Sequence, residues 1–250
     1  MSESKTARFE RIISEVAEAR RGAAGIGTQA EKSVHAVLKS FYAPDSDATE
    51  VAVNGYIADI CDTNSNRIVE IQTRQFYSMK NKLRAFLPEF DVTIVYPLPM
   101  IKMITNIDSD TGTVLSRRKS PRKRSIYEIF EEMYGIRDFL NDPHLHFKIV
   151  TLEAEEFRFK GLTEQHGRKT RVLSDIVPVR MLEEIDIYEV RDLIMFVPAE
   201  LGSEFTRSTL ASAAGISKYL AGYVAGLLYV TGLVTRDGTR LNREIVNKLE

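Results

Sequence analysis

The chain has 250 residues, 44% of them hydrophobic and 28% charged, and a formal net charge of −1. That length suits one large or two modest domains, the composition is ordinary for a soluble globular protein, and net charge alone gives no sign of a nucleic-acid partner. The single cysteine, Cys61, excludes an internal disulfide framework and a cysteine zinc cluster, and it fits a reducing compartment. No apolar run approaches the roughly 20 residues of a membrane helix. The first residues lack the apolar core of a secretory signal, so a cytoplasmic protein without a membrane partner is expected.

Residues 6–21 place Phe9, Ile12, Ile13 and Val16 at helical spacing, which predicts an amphipathic helix ending at Gly22. A glycine-rich loop follows. A second helix is expected from Thr28, with Val34, Val37, Leu38 and Phe41 on one face, stopped by Pro44. Three strands are predicted next, near Glu50–Val53, Tyr56–Cys61 and Arg67–Gln72. Asn54-Gly55 is a strong two-residue hairpin signal between the first two, and 63–66 a looser turn between the second and third. Gln75 to Leu87 returns to helical period, and Asp91–Tyr96 reads as a strand buried on both faces.

Beyond residue 98 the pattern predicts a strand over Met100–Ile107 and a turn at Asp108–Gly112. Arg117-Arg118-Lys119-Ser-Pro-Arg122-Lys123-Arg124 then sets six basic residues in eight without an acid. Such a run suits a phosphate backbone, although a solvated loop is the usual fate of a charge block. Ser125 is positioned to cap a helix, Leu145–Leu152 to form a strand, and 153–186 to serve as a connector with short elements. Tyr188–Val197 reads as helical. Thr206 and Ser217 are placed to cap two further helices, and 232–241 forms a hairpin with Asp237-Gly238 at its tip. Helix, tight turn, helix and hairpin in that order make a winged helix-turn-helix pattern. Lys218, Tyr219 and Tyr223 lie early on its second helix, and Arg236 and Arg240 flank the tip, where they could reach DNA. Protein contact is the competing reading, because the second helix has few basic side chains and Gly222, Ala225 and Gly226 suit close packing.

The candidate chemistry lies between Gly55 and Gln72. Alternation along strands gives Ile57, Asp59 and Cys61 one face, and Ile68, Glu70 and Gln72 one face of the neighbour. If the register joins those faces, two carboxylates and an amide oxygen converge as a hard-cation site. A carboxylate inside an apolar strand needs a metal, a cationic partner or exposure. The four histidines form no zinc pattern.

A helix with an acid, three strands carrying Asp and then Glu-X-Gln, a helix and a strand resemble the PD-(D/E)XK, or restriction-endonuclease-like, superfamily over about residues 28–96. Members cut DNA or RNA with Mg²⁺ held by the motif carboxylates. The resemblance implies that Asp59 and Glu70 bind the metal, that Gln72 stands where the lysine is usual, and that Glu31 is the helix acid. Glu31 also lies three residues after Thr28, which makes a capping box without any site. Ala58 replaces the motif proline. Gln72 in place of lysine removes a charge, and loss of one strong electrostatic stabiliser costs about 3–4 kcal/mol, or roughly 10²–10³ in rate. Lys80 or Lys82, on the next helix, can supply that charge from the other side, and Gln75 can border the site.

The expected fold is therefore α/β: a restriction-endonuclease-like αβββαβ core with a mixed sheet over residues 1–170, a connector over 171–186, and a smaller winged-helix domain over 187–250. The expected function is metal-dependent cleavage of DNA with Mg²⁺ or Mn²⁺. Asp59, Glu70, Gln72 and Glu31 form the site, and Arg117, Arg118, Lys119, Arg122, Lys123, Arg124, Lys218, Arg236 and Arg240 contact DNA. The alternative is a non-catalytic DNA-binding or regulatory protein that keeps the nuclease fold. A homodimer that cuts both strands is compatible with this reading.

Overall fold

The computed structural model describes residues 3–22, 32–43, 45–160, 174–242 and 244–250. In chain order its elements begin with helices α1 (Lys5–Gly22) and α2 (Ser33–Tyr42), then strands β1 (Thr49–Val53), β2 (Tyr56–Asp62) and β3 (Arg67–Ile71). A 3₁₀ turn, Phe76–Met79, leads into α3 (Lys80–Phe86). Strands β4 (Asp91–Asp108) and β5 (Val114–Lys119), helix α4 (Ile129–Tyr134), and strands β6 (Leu145–Lys160) and β7 (Ser174–Ile187) follow. The C-terminal part holds β8 (Glu204–Phe205), α5 (Arg207–Ala213), α6 (Lys218–Val230), β9 (Val234–Thr235), β10 (Arg240–Leu241), β11 (Glu244–Ile245) and β12 (Asn247–Leu249). The protein is mixed α/β. Its main sheet runs β1-β2-β3-β4-β6-β7, with β5 paired to β4. The β2–β3 and β4–β5 pairs are antiparallel and β3–β4 is parallel, so the sheet is mixed.

Packing divides the chain into two compact units: Met1–Thr49 with Pro97–Arg124 and Val150–Glu184, and Glu50–Tyr96 with Ser125–Ile149 and Ile185–Glu250. Strands β1, β4, β6 and β7 contribute residues to both. In the first unit α1 packs on α2, with the Phe9 and Phe41 rings edge to face at 5.1 Å. Helix α2 lacks a cap of its own at Lys32, and Asp175 of β7 takes that place by accepting the Ser33 N–H at 3.0 Å. Thr28 and Glu31, the expected start and acid of this helix, lie outside the described residues.

The second unit carries the candidate site. Asn54 and Gly55 both have positive φ (46° and 82°), the backbone a two-residue hairpin turn demands, and they reverse β1 into β2. The Gln75–Leu87 segment buries the face its period predicts: Phe76, Met79, Leu83, Phe86 and Leu87 are all in the core. Each such fully buried side chain contributes about 1.5–3 kcal/mol. Phe76 stacks on Phe147 of β6 and meets Tyr96 of β4 edge on, tying this crossover to the strands beneath it. Ser125 and Glu128 form the capping box that starts the turn into α4.

Several expectations are corrected. The strands expected at Asp91–Tyr96 and Met100–Ile107 are one strand, β4, running through Pro97 and Pro99. The β3 register ends at Val95 and the β5 register begins at Met103, so the prolines fall where neither register claims a donor. The basic run is not all loop, because Arg117–Lys119 belong to β5. Residues 153–160 continue β6, and the expected connector at 171–186 is β7 from Ser174 onward. The helix expected at Tyr188–Val197 is a 3₁₀ stretch, Val190–Phe196.

In the C-terminal part α5 and α6 are bent by 115° at a short break, where Gly215 has φ 63°. Thr206 and Ser217 cap them as expected. The expected 232–241 hairpin is replaced by a wider one: β9 pairs with β12, β10 with β11, and the small sheet runs β8-β12-β9. Among the described residues no single helix is long and apolar enough to cross a membrane.

Candidate active site

The β2–β3 ladder pairs Asp62 with Arg67, Cys61 with Ile68 and Ile60 with Val69. One further step sets Asp59 across from Glu70, on the shared face that alternation requires. At that step side chains replace the backbone ladder. The Asp59 N–H donates to Glu70 Oε1 at 3.2 Å, and the Ile71 N–H donates to Asp59 Oδ2 at 2.8 Å. The two acids are thus locked together by each other's strand. Asp62 points the other way and serves its turn, accepting from Ser65 Oγ and the Asn64 N–H.

Helix α3 brings a cation. Lys82 Nζ lies 2.7 Å from Glu70 Oε2. Of the two lysines considered for this role, Lys80 is held instead by Asp138 at 3.2 Å. Lys82 was legible only as one of a pair of options, because the twelve-residue separation from Glu70 spans a turn whose path the sequence does not show.

Glu70 is 4% exposed. Burial, followed by the negative charge of Asp59, pushes its carboxyl up to about 7, and the Lys82 ammonium opposes this without cancelling it. Such a group resists holding its charge with the cation it has. The donor chemistry suits a hard divalent ion: two adjacent carboxylates are what Mg²⁺ commonly takes from a protein, with waters and substrate phosphates completing its shell. Among the described residues no group of three acids, histidines or cysteines converges.

The other expected site residues are placed as follows. Gln72 donates its amide N–H to the Arg74 carbonyl at 2.8 Å and its backbone N–H to Val95, so its amide holds the turn after β3. Gln75 is not within a helix but precedes the 3₁₀ turn at φ 61°. Arg117 is exposed, and its Nε and Nη2 grip Glu155 at 2.9 and 3.1 Å. Arg118, Lys119, Arg122 and Lys123 are exposed, and Arg124 is half-buried.

Arg236 is a correction. Rather than flanking a wing tip, its guanidinium donates to Asn247 Oδ1 and the Ala225 carbonyl and lies over the Tyr229 ring at 4.3 Å. It fastens α6 to the small sheet. Arg240 is exposed on β10, and Lys218 stands 3.8 Å from Glu244. The close packing suggested by Gly226 is real: a Cβ there would lie 3.6 Å from the Tyr134 ring of α4. Tyr223 packs edge on against Tyr134, and the Tyr219 hydroxyl donates to Glu131 at 2.9 Å. The first turns of α6 therefore face α4, which sequence periodicity alone did not identify.

No solved structure matches the chain. An uncharacterized protein of Treponema pallidum (strain Nichols) is 30% identical over 167 residues, which are 67% of this chain and 64% of that protein. The chain therefore spans less than two thirds of that relative's length. A family model described as a domain of unknown function, DUF8091, matches residues 32–188, from the residue before α2 to the residue after β7. With most of its length inside that match, the chain belongs to the DUF8091 family.

Proposed function

We propose that the protein is a metal-dependent nuclease that hydrolyses phosphodiester bonds in DNA, with Asp59 and Glu70 as ligands of Mg²⁺ or Mn²⁺ and Lys82 as the motif lysine supplied from α3. The observation that carries this reading is the Asp59–Glu70 pair joined across β2 and β3, with Lys82 on Glu70 Oε2. A restriction-endonuclease-like core is supported by the order α2-β1-β2-β3-α3-β4, with β3 parallel to β4. A winged helix is supported by two helices bent by 115° beside a small sheet of order β8-β12-β9.

When bound, the metal supplies Lewis acidity toward a phosphate oxygen and a water made acidic enough to attack. Asp59 and Glu70 hold it, and their mutual backbone bonds keep both carboxylates oriented before substrate arrives. The Lys82 ammonium, 2.7 Å from Glu70 Oε2, would offset charge that gathers on a phosphate held by the acids. Gln72 keeps the turn after β3 in place. The exposed Arg118, Lys119, Arg122 and Lys123 offer phosphate contacts.

A second reading has its own support. The same hydrogen bonds and the Lys82 pair satisfy the acids within the fold, as a non-catalytic DNA-binding or regulatory protein would need. Plasmid nicking with Mg²⁺ or Mn²⁺ separates the two, comparing wild type with Asp59→Ala and Glu70→Ala on duplex, single-stranded and branched DNA. Metal-dependent cutting by wild type that both substitutions abolish supports the nuclease. No cutting on any substrate supports the scaffold.

A further inference from the structure

We infer that Lys82 is a resident counter-ion at the acid pair, which a divalent cation must displace from Glu70, so that metal entry releases the lysine toward incoming substrate. This rests on the nuclease reading and adds an order of events to it.

The geometry assigns each Glu70 oxygen a different task. Oε1 accepts the Asp59 N–H at 3.2 Å and holds the strands together. Oε2 meets the ammonium at 2.7 Å and is the oxygen through which Glu70 neutralises a cation. A metal bonded to Oε2 would share that oxygen with a like charge, in surroundings where Glu70 is 4% exposed and screening by water is weak. The two cations therefore compete.

Lys82 is built to leave. Its side chain keeps 27% of its surface exposed against 6% for Glu70, so the buried partner is fixed and the cation has a way out. A lysine is a point charge on a flexible four-carbon stem, and it can swing aside without disturbing the helix beneath it. Its neighbours on α3 anchor that helix independently, since Leu83 and Phe86 are fully buried and Lys80 is held by Asp138. The more exposed side of the pair is the cation. With the metal absent, the lysine offsets part of the repulsion between two adjacent carboxylates. With the metal bound, its charge is free to pair with phosphate.

The test uses the intact protein without nucleic acid. Calorimetric titration with Mn²⁺ and with Mg²⁺ is compared for wild type and Lys82→Met, which removes the competitor and keeps the stem. The variant is expected to bind Mn²⁺ about tenfold tighter or more, the range set by loss of one charge-assisted hydrogen bond. In parallel, wild-type lysines are labelled with an amine-reactive ester and read by mass spectrometry. Lys82 should label several-fold faster with Mn²⁺ present, Lys80 should not change, and Glu70→Gln should remove the effect. Should Lys82→Met fail to fold, the wild-type labelling decides alone. Equal or weaker Mn²⁺ binding by folded Lys82→Met, or Lys82 labelling indifferent to bound Mn²⁺, overturns the inference. If wild type still cuts DNA with Mg²⁺ under either result, only this inference falls. If wild type neither binds Mn²⁺ nor cuts, the nuclease reading falls with it.

Discussion

Glu156 on β6 and Glu70 on β3 are both almost fully buried, at 7% and 4% exposed, and each faces a lysine, yet their protons respond in opposite directions. For Glu156, burial is the largest single influence and pushes the carboxyl up. Arg158, 2.6 Å from Oε1, and Lys102, 2.5 Å from Oε2, together outweigh it, and the group ends below its usual range. Its neighbour Glu155 behaves alike: the paired Arg117 guanidinium holds it low against burial, with the Thr105 hydroxyl adding to the effect. For Glu70, burial and Asp59 win over Lys82, and the carboxyl rises to about 7. The first pair is neutralised by its own neighbours and reads as architecture. Glu70 is left wanting positive charge beside a second carboxylate, as the proposed cation site requires.

The largest expected effect tests that difference directly. Asp59→Ala and Glu70→Ala should each lower metal-dependent DNA cleavage by at least about 10²–10³ in a nicking assay. Glu156→Gln should leave it within a few-fold once the protein is shown to be folded. Equal losses at both places would erase the contrast.

Stability should split the same two acids with opposite sign. In the folded state Glu70 keeps its proton up to about pH 7, whereas the unfolded chain releases it near 4.5. Between those values the native state binds more protons, so stability falls as pH rises through this window and the whole penalty is present above it. Glu70→Gln should therefore stabilise the metal-free protein by up to about 3 kcal/mol at pH 8 and by little at pH 4, read from urea midpoints. Mn²⁺ affinity of the wild type should rise with pH and level off above about 7, since the ion needs the ionised carboxylate. Glu156→Gln should do the reverse at pH 7. It leaves Lys102 and Arg158 without their carboxylate and should cost about 2 kcal/mol, less than for a fully buried pair because both cations reach water. A Glu70→Gln variant less stable than wild type at pH 8 would remove the premise of a charge-poor site.

The sequence makes local chemistry legible and distant pairing obscure. Asn54-Gly55, Ser125, Thr206 and Ser217 act within a few residues of themselves, and all four punctuate the fold where expected. The opposition of Asp59 and Glu70 was readable for the same reason: one short turn fixes the register. What failed needed partners from elsewhere. Residues 153–160 and 174–186 look like a connector because their charges interrupt the apolar alternation. In the fold Glu153 and Glu156 meet Arg180 and Lys102 on the neighbouring strands β7 and β4, and Glu155 meets Arg117 of β5, so polar positions are compatible with long sheet strands. Arg236 misled in the opposite way. A basic residue near a wing suggests phosphate, but its partners are an asparagine and a carbonyl eleven residues away on either side.

The smallest prediction carries the comparison to the C-terminal helices, where the question is whether α6 is free to read DNA or is fastened to α4. At Gly226 a Cβ would lie 3.6 Å from the Tyr134 ring, an ordinary contact, and the residue sits inside a helix where glycine costs about 0.5–1 kcal/mol relative to alanine. Gly226→Ala should thus raise stability by about 0.5–1 kcal/mol in urea unfolding. Gly226→Leu should not share the gain, because a branched side chain in that space must push Tyr134 aside and overpack the α4–α6 contact, at about 1–3 kcal/mol. Leucine tolerated as well as alanine would mean that α6 stands clear of α4 in solution. Its first turns, with Lys218, Tyr219 and Tyr223, would then be open to a DNA groove. A split between the two substitutions would fix α6 as a packing helix and confine the proposed DNA contact to the exposed basic residues of β5 and the segment after it.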